Sequence, residues 1–228
     1  MDMIVSVLTL IISFVLPIAI LLYLILVKRN YLISFLLGII CFAFFQLFTR
    51  IPLIEMYLPT IDWYFTMMYT QPLLYALFLG LSAALFEELG RYVVMRYILR
   101  KKTLDNAIFF GLGHGGIEAI LFVGINALMI LISYKGISGN PQMMLLAGVE
   151  RLSAMILHVC WSVLVMNSII KAKPSFLFIA IISHFLLDSG VVLAQMAGIN
   201  FVILEVVLFL VAVASAYYVY NLFKHKEV

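Results

Sequence analysis

The chain of 228 residues is dominated by apolar side chains: 66% of its residues are hydrophobic and only 11% are charged. An average soluble domain is roughly 45–50% apolar, and a soluble fold of this length could not bury so much apolar surface. The net charge of +3 is too small to indicate binding to nucleic acid. Because no polar stretch is long enough for a separate soluble domain, we expect one transmembrane domain over residues 1–228, surrounded by lipid.

Seven apolar stretches are long enough to cross a bilayer, since a spanning helix needs about 20 residues. The predicted spans cover residues 3–27, 31–48, 72–97, 105–133, 142–170, 175–198 and 200–223. A connection rich in proline and charged residues runs from Arg50 to Asp62, and the aromatic stretch 63–71 lies at the membrane interface or extends the third span. The sequence therefore predicts an all-α polytopic bundle. Cys41 and Cys160 lie inside predicted spans without metal-type spacing, so we interpret both as packing residues.

Basic residues predict the orientation of the bundle. Ten lysines and arginines lie near the ends of spans one, three and five or in the C-terminal tail, whereas the opposite loops contain only Arg50 and Lys135. Cytoplasmic loops carry an excess of basic residues, so we expect the N-terminus outside and the C-terminus in the cytoplasm. The start of the chain has no basic segment before its long apolar stretch, which favours a first span over a cleaved signal peptide.

Titratable side chains recur inside the predicted spans. A charge at the bilayer centre costs a few kcal/mol, so such residues usually face a cavity or a partner. Glu87, His114, His158 and His184 lie roughly 9–12 residues from the predicted cytoplasmic ends of four different spans. At a rise of about 1.5 Å per residue, all four lie roughly 14–18 Å deep. The sequence thus places an acid or an imidazole at a similar level in four helices.

Helical periodicity predicts which way the acidic pair of the third span faces. Gly80, Ala83 and Ala84 share one face with Glu87 and Arg91 at 3.6 residues per turn. Small residues mark close contacts between membrane helices, so Glu87 should point into the bundle. Its neighbour Glu88 lies about 100° away, nearer the edge of that face.

Two histidines have a carboxylate one helical turn further on. His114 precedes Glu118 by four residues, and His184 precedes Asp188 by the same interval. Each pair can place two metal ligands, or a ligand and its hydrogen-bonding partner, on one side of a helix. His158 shares a face with Arg151.

Structural interpretations of the same residues stay open. Glu87 and Arg91 can form an ion pair that only stabilises packing, and so can Glu150 and Arg151. A histidine in a membrane helix can also join two helices by hydrogen bonding without binding a ligand.

Histidines and carboxylates at one level suit a transition metal, above all zinc. Three protein ligands and an open position make a hydrolytic site, in which the metal or a glutamate base activates water. The sequence therefore favours metal-assisted hydrolysis as the chemistry of this constellation.

The motifs also resemble a known family, over a region from about the third span to the sixth. The motifs that carry the resemblance are Glu87-Glu88-x-x-Arg91, the block from Gly113 to Ala119, Glu150-Arg151, His158 and His184-x-x-x-Asp188. Together they resemble the YhfC family of bacterial intramembrane metalloproteases. That family is distantly similar to the CAAX-prenyl endopeptidase and bacteriocin-immunity group, to PrsW-like proteases and to the APH scaffold subunit of γ-secretase.

The resemblance implies a multi-pass zinc endopeptidase of the bacterial plasma membrane, with a catalytic-like core at about residues 72–198 and a membrane protein or membrane-bound peptide as substrate. Glu87 and Glu88 match the acidic pair, Arg91 its basic partner, and His114 and His184 the two helix histidines. We expect His158 to be the third metal ligand, and Glu118 and Asp188 to orient the histidines or to complete the ligand shell. Asp188 stands where the CAAX group usually has asparagine, and the gap between the acidic pair and Arg91 is one residue shorter than in that group.

Two other classes of function remain alternatives. An ion-coupled transporter also uses intramembrane acids and histidines, but the chain shows no internal repeat. A non-catalytic scaffold or chaperone that binds transmembrane helices is the other class, as the APH resemblance indicates.

Overall fold

The computed structural model describes residues 2–133 and 140–224, and within these ranges the chain is almost entirely helical, without a β-strand. Seven described helices are long and apolar enough to cross a membrane. In chain order these spans are Met3–Leu26, Arg29–Thr60, Pro72–Ile98, Leu104–Ser133, Pro141–Ile170, Ser175–Met196 and Phe201–Leu222. The all-α fold with seven spans is thus confirmed, while the orientation of the termini and the single domain stay predictions. Most of the loop predicted after the fourth span, and the tail from residue 225, lie outside the described residues.

The second span is longer than predicted. Residues 50–60, predicted to be a connection, continue the helix, so that prediction was wrong. Proline lacks an N–H group and cannot donate a helical hydrogen bond. The second span contains two prolines, and each stands where the hydrogen-bonding pattern of the helix changes. Pro52 stands between the π-helical segments Ala43–Arg50 and Leu53–Tyr57, and Pro59 lies in the final turn Leu58–Thr60.

The aromatic stretch before the third span forms a short helix of its own, Asp62–Thr70. Ile61 is extended on one side of it, and Gln71 is not helical on the other, so it does not extend the third span. Tyr64 is buried and its hydroxyl donates a hydrogen bond to the Ile54 carbonyl at 3.3 Å.

Prolines and residues of positive φ define several helix ends. Pro72 and Pro141 begin the third and fifth spans, where a missing N–H costs little. At the opposite ends, Ala172 after the fifth span and Gly198 after the sixth adopt φ values of 50° and 71°. Such left-handed residues close the last helical turn and reverse the chain.

The helices form two compact units. The first unit comprises Met1–Ile39, Asp105–Val163 and Phe201–Val228, and the second comprises Ile40–Leu104 and Leu164–Asn200. In the first unit, the glycines of the fourth span allow close helix packing. A Cβ atom on Gly111 would lie 2.6 Å from Val159 Cα, and one on Gly113 would lie 2.0 Å from the Phe35 carbonyl oxygen.

In the second unit, the third and sixth spans pack against each other through Gly80. A Cβ atom there would lie 2.7 Å from the Ser189 backbone nitrogen and 2.9 Å from the Phe185 carbonyl oxygen. Only glycine permits this approach. It places Glu87 and Glu88, two turns further along the third span, beside the sixth.

Replacing Gly80 by alanine should force these two helices apart. Overpacking of this kind typically costs about 1–3 kcal/mol, so the thermal unfolding midpoint of the detergent-purified protein should fall. Gly190→Ala is the matched control, because a Cβ atom at Gly190 meets nothing within 4 Å and alanine favours the helix. Equal midpoints for the two variants would contradict the packing described here.

Candidate functional site

A guanidinium bridges the two glutamates of the third span. Glu87 and Glu88 are 5% and 0% exposed, and Arg91, one turn further on, is 0% exposed. Arg91 Nη2 donates to Glu87 Oε2 at 2.9 Å, and Arg91 Nη1 donates to Glu88 Oε1. One buried guanidinium therefore pairs with two buried carboxylates, and loss of Arg91 would leave both carboxylates without this cationic partner.

The sixth span adds a histidine that lies between two carboxylates. His184 Nδ1 is 2.7 Å from Glu88 Oε1, and His184 Nε2 is 3.4 Å from Asp188 Oδ2. The prediction that His184 and Asp188 share one side of their helix is confirmed. Glu88 Oε1 thus faces both Arg91 and His184, whereas Glu88 Oε2 is buried without a hydrogen-bond partner in the described part of the chain.

The second span contributes two residues that sequence analysis missed. Gln46 Nε2 donates to Glu87 Oε1, and Arg50 Nη1 donates to Gln46 Oε1 at 3.2 Å. Arg50 is itself fixed by the third span, because its Nη2 donates to the Leu79 carbonyl at 2.8 Å and its Nε to Ser82 Oγ at 3.0 Å. The sequence signal that could have identified them is their four-residue spacing at the end of an apolar stretch, which places Gln46 and Arg50 on one side of a helix.

These residues form one chain of polar contacts across the second, third and sixth spans. It runs through Arg50, Gln46, Glu87, Arg91, Glu88, His184 and Asp188. Three carboxylates face two guanidiniums, so the group carries one negative charge in excess when His184 is neutral. A bound cation, or a proton on His184, would balance that charge.

The donor set of this cluster fits a metal ion. One ligand atom each from Glu87, Glu88 and His184 lie within 4.8 Å of one another, and all three residues are buried. Carboxylate oxygens and imidazole nitrogens are ligands of divalent transition metals, and the buried Glu88 Oε2 has a free position. The second unit therefore contains a buried Glu/His group compatible with a metal ion.

A second polar cluster lies within the first unit. His158 Nε2 is 2.5 Å from Glu118 Oε2, and Arg151 Nη1 is 2.7 Å from Glu118 Oε1. Arg151 also pairs with Glu150. The buried ring of His114 has its centroid 4.8 Å from that of His158. Two predicted ligands of the fourth and fifth spans are thus neighbours, and Glu118 orients one of them.

The sequence model of the family described as YhfC intramembrane metalloprotease matches residues 12–145 and 131–208. The chain belongs to the YhfC family. The uncharacterized membrane protein YhfC of Bacillus subtilis (strain 168) is 30% identical to it over 176 residues, which cover 65% of this chain and 68% of that protein. No solved structure matches the chain. With seven apolar helices, these matches confirm the predicted family and a multi-pass membrane protein, consistent with a bacterial plasma membrane.

The predicted site residues fall into two groups, each within its own unit. Glu87, Glu88, Arg91, His184 and Asp188 lie together in the second unit. The first unit contains the other predicted residues, namely His114, Glu118 and His158. Binding of one ion by His114, His158 and His184 stays a prediction.

The third span alone does not indicate how deeply Glu88 is buried. Glu88, predicted to lie nearer the edge of the buried face, is completely buried. The reason is the sixth span, whose His184 contacts that edge at Glu88 Oε1.

Gln46→Leu should remove the donor to Glu87 Oε1 and leave a buried carboxylate oxygen unsatisfied. Such a loss typically costs about 1–3 kcal/mol, which thermal unfolding in detergent can measure. Phe48→Leu, at a side chain 76% exposed in the same segment, is the control and should change stability by less than about 0.5 kcal/mol. Combining Gln46→Leu with Glu87→Gln should give a non-additive change, and strict additivity would contradict the contact.

Proposed function

We propose that this protein is an intramembrane endopeptidase that hydrolyses peptide bonds of a membrane protein or membrane-bound peptide. The observation that carries the proposal is the buried group of Glu87, Glu88 and His184 inside membrane-spanning helices, with ligand atoms close enough to share an ion. Membership of a family described as intramembrane metalloproteases supports it. Two acids and an imidazole, far from bulk water, are costly unless they serve a site.

In this proposal the ion is zinc, and Glu88 and His184 hold it, with His114 and His158 as further ligands. When bound, zinc lowers the pKa of a water molecule and polarises the scissile carbonyl. Asp188 fixes the histidine by accepting the Nε2 proton of His184, which leaves Nδ1, on the Glu88 side, as the ligand atom. Glu118 holds His158 at Nε2 in the same way and leaves Nδ1 of that ring for the ion.

Glu87 is the proposed general base. Glu88 is the other candidate, and in that case Glu87 takes its place as the ligand beside His184. The two oxygens of Glu87 are oriented separately, Oε2 by Arg91 and Oε1 by Gln46. A carboxylate held in this way can take a proton from the attacking water and pass it to the departing amine. Arg91 and Gln46 position the base, and Arg50 acts through Gln46.

A scaffold is the second candidate, and the pairing of Arg91 favours it. A guanidinium bound to both glutamates, with Gln46 and His184 at their other sides, forms a polar network that joins three spans. Buried polar contacts of this kind hold membrane helices together without any catalysis. The test of the protease must therefore separate loss of chemistry from loss of structure.

Glu87→Gln should abolish proteolysis while the protein remains folded and inserted. The change keeps the size and hydrogen bonding of the side chain but removes the base, whose contribution is roughly 10²–10⁴-fold in rate. New protein N-termini in membranes of a deletion strain, complemented with each variant, report the cleavage. Glu55→Gln is the control, because Glu55 is an exposed glutamate of the second span.

Full proteolysis by both Glu87→Gln and Glu88→Gln would show that neither glutamate is the base. If Glu87→Gln and His184→Ala both complemented the deletion strain completely, and no strain produced new N-termini, the scaffold would replace the protease.

A further inference from the structure

A small cavity lies at the ends of three spans in the second unit, and its lining includes no residue of the Glu/His group. Its volume is about 240 Å³. Tyr92 and Arg96 of the third span form one wall, and Ser168 and Ile169 of the fifth span form another. Ala172 in the turn and Pro174 and Leu177 at the start of the sixth span complete the lining. Because all three helices end or begin here, the cavity lies at the level where a bilayer has its headgroups.

The cavity has a positive charge that no carboxylate compensates. Arg96 is exposed, and it forms no ion pair within residues 2–133 and 140–224. By contrast, Arg91 and Arg151 each pair with two glutamates. None of the lining residues is acidic.

Two lysines flank the cavity in the turn between the fifth and sixth spans. Lys171 is held by the Phe176 ring, whose centroid is 5.1 Å from its Nζ, and Lys173 is exposed. They add to the charge of Arg96 without lining the cavity.

Hydrogen bonds fix the turn between the fifth and sixth spans, which borders the cavity. The Lys173 amide donates to the Ser168 carbonyl at 3.1 Å, and Ala172 has a left-handed φ of 50°. Ser168 Oγ donates its proton to the Val165 carbonyl at 2.7 Å, so this hydroxyl does not donate to an anion in the cavity. The side-chain donors for an anion are therefore the guanidinium of Arg96 and the hydroxyl of Tyr92, one helical turn apart.

We propose that this cavity binds the phosphate group of an anionic membrane phospholipid. A guanidinium offers a planar pair of donors that matches two phosphate oxygens, and basic pockets between membrane helices bind anionic headgroups. Ile169, Pro174 and Leu177 give the other walls an apolar surface that suits the glycerol and the first acyl carbons. Inorganic phosphate has the same charge chemistry but would leave these apolar walls uncovered.

Lipid titration of the full-length protein in detergent tests the site. Phosphatidylglycerol, phosphatidylcholine and inorganic phosphate are added separately at about 0.15 M salt, where long-range attraction to surface charges is screened. Native mass spectrometry measures the bound lipid. We expect phosphatidylglycerol to bind more tightly than phosphatidylcholine, and inorganic phosphate not to displace it at equal concentration.

Arg96→Gln should weaken binding of phosphatidylglycerol about tenfold, as expected for losing a charge-assisted pair of hydrogen bonds. Arg96→Lys, which keeps the charge without the planar fork, should give an intermediate loss. Arg100→Gln is the matched control, because Arg100 is exposed near the same helix end and does not line the cavity. Leu177→Trp should also weaken binding by narrowing the cavity while keeping every charge.

Equal losses in Arg96→Gln and Arg100→Gln would overturn the proposal in favour of general surface charge. Unchanged binding in Leu177→Trp would overturn the location of the site. Displacement of the lipid by equimolar inorganic phosphate would overturn the lipid as the ligand. All these measurements are independent of proteolysis, so they stand whether or not the proposed function is correct.

Discussion

The guanidinium of Arg91 holds two carboxylates within a membrane-spanning helix, and the polar centre of the second unit depends on that contact. Neither Glu87 nor Glu88 can remain charged in an apolar environment without a partner, and Arg91 supplies one to both. The contact fixes the two acids from one side only. Gln46 of the second span and His184 of the sixth approach from other directions, and the close approach at Gly80 brings the sixth span within reach.

The charge balance of the group relates its structure to binding of a metal ion or a proton. If the group served packing alone, equal numbers of acids and bases would suffice, yet Glu87, Glu88 and Asp188 outnumber Arg50 and Arg91. The excess charge lies next to an imidazole with carboxylates at both ring nitrogens. A metal ion on Glu88 and His184, or a proton on His184, would balance it. The first state makes a hydrolytic centre, and the second makes a structural ion-pair network.

Much of the architecture could be predicted because spans are set by length and hydrophobicity, which a sequence displays directly. The i,i+4 relation of His184 and Asp188 was equally visible, since it lies within one helix. Contacts between helices were harder to predict. The sequence related Glu118 to His114 on its own helix and did not indicate the contacts of Glu118 with His158 and Arg151 of the fifth span.

The burial of Glu88 and the continuity of the second span were also hard to predict from the sequence. The full burial of Glu88 depends on the sixth span, which the periodicity of the third span cannot reveal. Arg50 was missed because proline and charge normally end a membrane helix, while here π-helical turns carry the helix past Pro52. With Arg50 assigned to a connection, its contact with Gln46 could not be foreseen.

Metal content of the purified full-length protein tests the central claim most directly. We expect about one zinc ion per chain after purification without chelators. The zinc should be lost in His184→Ala and Glu88→Gln but not in Glu55→Gln, with each variant first shown to unfold at the same temperature as the unaltered protein. X-ray absorption should then show nitrogen and oxygen ligands at about 2.0–2.2 Å. A metal-free protein in which His184 carries protons on both ring nitrogens would contradict the account and leave the cluster as an ion-pair network between helices.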